Sequence, residues 1–173
     1  MIITWLLIMK IFYILCSLFS ALFVLSACSL FSTKQLHFEI INSFNSDYQG
    51  TNPTIFVLSS RNSSLPDSVN QQYWRETLNS VDFSKYIVVF IFRGQTTTSA
   101  AFGTTSVREE DKTILITAKF LWKTSYSISD EIVSPAEVIR INKQDMHNFG
   151  QLKFILRDTT GSEKASTTTF IPE

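Results

Sequence analysis

Cysteine is nearly absent from this chain of 173 residues: there are two, Cys16 and Cys28, and none afterwards. A disulfide framework and a cysteine-based zinc site are thereby excluded from residues 29–173. Histidine is equally sparse, and His37 and His147 lie far apart, so no histidine metal-site spacing occurs. Five glycines and four prolines leave little loop-forming material. No phosphate-cradling loop, Gly-x-Ser-x-Gly elbow or His-Glu-x-x-His motif is present. An excess of one charge is also missing, because 15 Lys and Arg balance 15 Asp and Glu. A neutral chain has no basic field for a phosphate backbone, which argues against a nucleic-acid partner. These absences predict no catalytic residue, no metal and no cofactor.

What is present is unevenly spread. Lys10 is the single charge among the first 31 residues. Met9-Lys10 precede an apolar run over 11–25, which closes on Ser26-Ala27-Cys28. A positive start, an apolar core and small residues before a cleavage point form the layout of a secretory signal. Residues 2–25 are long enough to span a bilayer, but a lysine at mid-run is costly there and favours a cleaved signal. Met9 is the start that suits this layout, with residues 1–8 an upstream extension. The Leu25-Ser26-Ala27-Cys28 end resembles the lipobox of bacterial lipoproteins. That resemblance implies cleavage before Cys28 and a lipid on its thiol. It also implies anchorage on the extracytoplasmic face of the cell envelope, at the outer membrane where the host has one. Residues 1–27 are then signal, 28–35 a short tether and 36–173 a single β domain.

Beyond residue 35 the dominant period is two. Leu36, Phe38 and Ile40 alternate with His37 and Glu39, and a short apolar run follows at 54–59. Residues 86–92 are apolar on both parities, as in a strand covered on both faces. Further strands are expected at 99–107, 113–123, 136–142 and 151–157, with a final hairpin strand at 165–171. One helix is expected over 68–79, behind Pro66 and capped by Asp67 or Ser68. The expected fold is mainly all-β, an antiparallel sandwich or partly closed barrel of about eight strands with one short helix.

His37 falls on the polar parity of its strand, and His147 lies in a polar loop. Glu109-Glu110-Asp111 has the composition of a solvated hairpin tip. The most distinctive stretch runs from Arg93-Gly94-Gln95 through Thr96, Thr97, Thr98 and Ser99 to Gly103. A very apolar strand stops there at a charge and a glycine, and small residues let another backbone or a ligand approach. Arg93, Gln95, Thr97, Thr98 and Ser99 are the candidate partner-binding surface.

Val81-Asp82-Phe83-Ser84-Lys85-Tyr86, the strand ending in Arg93-Gly94-Gln95, and Ser134-Pro135-Ala136-Glu137-Val138-Ile139 together carry a family likeness. This pattern resembles the C-terminal domain of PrcB-type proteins, small exported β proteins associated with a protease complex. Thr98-Ser99-Ala100-Ala101-Phe102 departs from it where the family has a Thr-Gly-Gly-Tyr turn. The resemblance implies a non-enzymatic accessory role with a protein partner. The expected function is therefore a membrane-tethered extracytoplasmic binding domain, held by lipidated Cys28. The alternative is a β-barrel lipoprotein carrying a small molecule or lipid.

Overall fold

The computed structural model describes residues 33–97, 102–121 and 131–173. In chain order the strands are β1 (Thr33–Gln35), β2 (Phe38–Asn45), β3 (Thr54–Leu58), β4 (Tyr86–Phe92), β5 (Thr96–Thr97), β6 (Phe102–Glu110) and β7 (Thr113–Phe120). They continue with β8 (Ile132–Val133), β9 (Pro135–Asn142), β10 (Gly150–Asp158) and β11 (Glu163–Ile171), and one helix, α1 (Gln71–Asn79), precedes β4. Two sheets form a sandwich, ordered β1-β6-β7-β10-β11 and β2-β9-β4-β3, while β5 and β8 pair separately. The all-β sandwich is as expected, and among the described residues no closed barrel forms.

Strand β4 organises the layers. Ile87, Val89 and Ile91 point into the space between the sheets, among Ile114, Ile116, Leu152, Phe154 and Leu156 of the facing sheet. Val88, Phe90 and Phe92 point the other way, against Trp74 and Leu78 of α1 and the flanking Leu65, Val69 and Val81. These six side chains are fully buried, and only Tyr86 at the start of β4 is half-buried. Burying each large apolar side chain stabilises by about 1.5–3 kcal/mol, so this one strand anchors two cores at once.

Most pairings are antiparallel, but β7 and β10 run parallel. Parallel neighbours need a crossover connection, and the chain between them passes through β9 of the opposite sheet. On one side of the sandwich the chain steps from β1 to β2 through Leu36, which is buried in the inter-sheet core. On the other side, β3 and β11 lie edge to edge.

Three details differ from the sequence pattern. Residues 33–35, expected as tether, form β1 by pairing with Arg108–Glu110 of β6. Ile40, expected inward, is 52% exposed. A bulge between Ile40 and Asn42 shifts the register with β9, and one extra residue reverses every later side chain. Phe44, which shares the parity of Ile40 in the sequence, accordingly packs with Ile41 on the helix-side core. The helix starts at Gln71, because Asn70 is its cap and accepts the Tyr73 N–H at 2.9 Å.

Candidate functional site: the cleft-bearing end of the sandwich

The register brings seven strand termini to one end. Asn45 pairs with Pro135, Thr54 with Phe92, Phe102 with Phe120, and Ala118 with Asp158. The β4 strand ends here on Arg93 and Gly94, and β5 and β8 add a two-residue ribbon. Gly94 has φ +88°, and a Cβ on it would lie 2.6 Å from the Thr51 carbonyl oxygen. The close backbone approach expected at this glycine is therefore real. Gln95 fastens the same loop: its N–H donates to the Gly50 carbonyl at 2.8 Å and its Nε2 to Gln49 Oε1 at 3.0 Å.

Arg93 is buried, and its Nη2 donates to the Leu121 carbonyl at 3.1 Å, so it braces one sheet against the other. Burial lowers the guanidinium below its ordinary pKa, yet an arginine stays protonated in proteins. Arg93 forms one wall of a cleft of about 400 Å³, with Thr51, Asn52, Phe120, Asp158 and Lys164 around it. Asp158 closes the β10–β11 turn. It accepts from the Thr160 hydroxyl at 2.6 Å, from the Thr160 and Ser162 amides at 2.9 and 3.0 Å, and pairs with Lys164 at 2.9 Å. The Thr160 hydroxyl first, then Lys164, holds this carboxyl far below the ordinary carboxylate range.

A second cleft, of about 490 Å³, opens between the sheets and is lined by Ser43, Phe44, Asn45, Phe102, Val133 and Pro135, among others. Phe102 and Phe120 meet edge to face, with centroids 5.2 Å apart, and one ring lines each cleft. Beside the second cleft, Glu137 is 3% exposed. Its Oε2 accepts the Thr104 N–H at 2.8 Å, and Ser43 Oγ donates to its Oε1 at 3.4 Å. The Thr104 amide is displaced by a bulge between Thr104 and Ser106, which explains why a side chain must receive it. The Thr104 hydroxyl is buried without a hydrogen-bond partner.

The opposite end carries a smaller cleft of about 250 Å³, beside Leu58, Arg61 and Asn79, together with several buried polar anchors. Glu109, expected as a solvated hairpin tip, is 1% exposed. Its carboxylate accepts the amides of His147 and Asn148, both at 2.8 Å, and Asn148 Nδ2 at 3.1 Å. Glu110 and Asp111 are exposed as expected. The His147 ring lies on the surface, with Lys34 Nζ 3.2 Å from its Nε2, and His37 is likewise exposed beside Glu39. Lys143 is buried and donates to the Pro172 carbonyl at 3.1 Å.

Of the expected partner-binding residues, Arg93, Gln95 and Thr97 are gathered at the cleft-bearing end, Thr97 in β5 opposite Ile132. Arg93 sits in the cleft wall and not on an open surface. Thr98, Ser99 and Cys28 lie outside the described residues. Glu109 and Glu137 escape a reading by composition, although a parity signal exists. Glu109 shares the inward parity of Val107, and Glu137 that of Ile139 and Ile141. Among the described residues no group of three His, Cys, Asp or Glu side chains could hold a metal ion. No helix among them is long and apolar enough to cross a membrane. No protein-family model, curated protein or solved structure matches the chain.

Proposed function

We propose that the chain is a lipid-anchored extracytoplasmic binding domain that presents the cleft-bearing end of its sandwich to a protein partner. One observation carries this reading. Strand β1 enters beside Glu110, at the end of β6 remote from Phe102 and the clefts. An anchor on Cys28 therefore holds one end and leaves the other for a partner. Residues 29–32 alone join Cys28 to β1, a contour of at most about 14 Å. At the presented end, Ile132 is 75% and Leu121 45% exposed. The resemblance to PrcB-type domains puts an envelope protease complex first among partner classes.

A carrier role is the weaker alternative. Among the described residues the centre of the sandwich is packed with apolar side chains, and the two clefts at its end open at the surface. The test places a photo-crosslinking residue at Ile132 and, as control, at Glu110. One recurring envelope protein captured from Ile132 and not from Glu110 is expected. Equal capture from both positions, or none from either, refutes the presentation argument. Mass spectrometry of membrane-extracted protein tests the anchor, which an unmodified Cys28 or an intact 9–27 segment overturns.

A further inference from the structure

The cleft of about 250 Å³ lies between the C-terminal part of α1 and the loop that follows β3. Buried Leu58, Leu65 and Leu78 back it, and serine and asparagine side chains complete the lining. Two lining side chains are charged, Arg61 and Arg75, and no acidic residue lines the cleft. Helical spacing puts Arg75 on the face of Leu78 and Asn79, so all three meet the loop of Arg61 at this one place. Among the described residues neither arginine has an ion-pair partner. The Arg75 guanidinium makes no hydrogen bond there either, and Glu76 beside it accepts from Gln72.

A helix C-terminus repels anions through its free carbonyls, but here the last three are taken. The Thr77 carbonyl accepts from the Ser80 hydroxyl at 2.7 Å, the Leu78 carbonyl from the Val81 amide at 3.1 Å, and the Asn79 carbonyl from Arg61 Nη2 at 3.3 Å. The cleft is left with two positive charges and donors to spare. A guanidinium has N–H donors in a planar fork and no acceptor. One fork satisfies the two oxygens of a carboxylate, whereas a phosphate group offers oxygens to two forks. The volume falls below the roughly 300–1,000 Å³ of drug-sized sites, which suits a phosphate on a short stem.

We propose that the cleft between Arg61 and Arg75 binds a phosphate group, with both guanidinium groups as its counter-ions. Its place in the fold favours a phospholipid headgroup over a free phosphate ester. Leu58 pairs with Val88 near the start of β4, Ile87 with Ile141, and Ile141 with Phe38 just after β1. The cleft is thus at the end where β1 enters, and residues 29–32 alone separate β1 from Cys28. Only this choice of source rests on the anchored reading above. Phosphate binding does not, and each can fail alone, because the mass of Cys28 reads the anchor and ligand titration reads the site.

The test uses the 173-residue chain in nonionic detergent micelles, read by NMR of the Arg61, Asn62 and Ser63 amides. Glycerol 3-phosphate is the free probe, and glycerol and acetate are controls for its stem and its charge. Saturable shifts are expected with the phosphate ester at millimolar concentration and with neither control. Arg75→Gln should weaken binding about tenfold or more. Arg75→Lys keeps the charge but loses the fork, and should weaken it about threefold. Arg75 is exposed, so both variants should keep the parent's thermal midpoint. Lys112→Gln removes an exposed lysine at the same end but outside the cleft, and should change binding by less than about twofold. Micelles doped with phosphatidylglycerol, or with diacylglycerol as control, separate the sources. The same shifts at lower phosphate concentration, absent with diacylglycerol, assign a headgroup, and tighter binding of glycerol 3-phosphate assigns a free ester. Shifts that do not saturate by about 100 mM, equal shifts with acetate, undiminished binding to Arg75→Gln, or an equal loss in Lys112→Gln overturn the proposal.

Discussion

Replacing Gly94 with alanine tests how the loop-bearing end is held together. Two costs add there. A non-glycine residue at φ +88° loses about 1–2 kcal/mol to left-handed backbone strain. The new Cβ would also meet the Thr51 carbonyl oxygen at 2.6 Å and its carbon at 2.8 Å. Those are backbone atoms, so the 50–52 loop must move, at a cost of about 1–3 kcal/mol. The sum is roughly 2–5 kcal/mol, or a melting-temperature loss of roughly 6–15 °C for a unit of this size. Gly161 supplies the internal control: it has φ +89° but nothing within 4 Å of a built Cβ. Gly161→Ala therefore carries the first cost alone, about 1–2 kcal/mol. Urea unfolding of both variants beside the parent gives the difference, which isolates the backbone contact from the dihedral strain. Hydrogen exchange at the Gln95 amide adds a local readout, because its bond to the Gly50 carbonyl should loosen in Gly94→Ala and not in Gly161→Ala. Equal destabilisation of the two variants would falsify the claim that the Thr51 backbone closes on Gly94.

Three further expectations can be checked by the same unfolding measurements. Glu109→Ala removes the buried acceptor of the part-buried His147 and Asn148 amides and should cost about 1–3 kcal/mol, whereas Glu110→Ala next to it stays within about 0.5 kcal/mol. Trp74→Ala removes a ring that is 1% exposed and packs 4.9 Å from Phe90 and 5.3 Å from Phe44, with an expected loss of about 3–5 kcal/mol. Asp158 has a depressed folded-state pKa, so its stabilisation is complete above the ordinary carboxylate value and is lost as pH falls through the folded one. Asp158→Asn should thus be less stable than the parent at neutral pH, and the gap should narrow on acidification below about pH 4. A gap that stays constant with pH refutes the ionic part of that role.

Local features were legible wherever a side-chain pattern alone sets the outcome. Tyr86–Phe92 is apolar on both parities, and it became the strand buried on both faces. The break at Ile40 was not legible, because a bulge is decided by pairing with β9 and not by the residues of β2. Glu109 and Glu110 are neighbours of identical chemistry, yet one is buried and the other solvated. Strand parity separates them, but only once the inward face of β6 is known. The Asn70 cap differs from the expected Asp67 or Ser68 because all three residue types can cap, and composition alone does not choose among them.

The sequence by itself determined the class of the domain, its strand-rich composition and the placement of its most apolar strand. These follow from period-two alternation, a property of each segment taken alone. The export and lipidation expectation also rests wholly on sequence, in residues 9–28. Tertiary structure decided everything that depends on residues meeting from afar: the bracing of Arg93 against Leu121, the Thr104 amide on Glu137, and the clefts around Phe102 and Phe120. Register and sheet order place those groups together, and both are outcomes of long-range pairing, which no local pattern specifies.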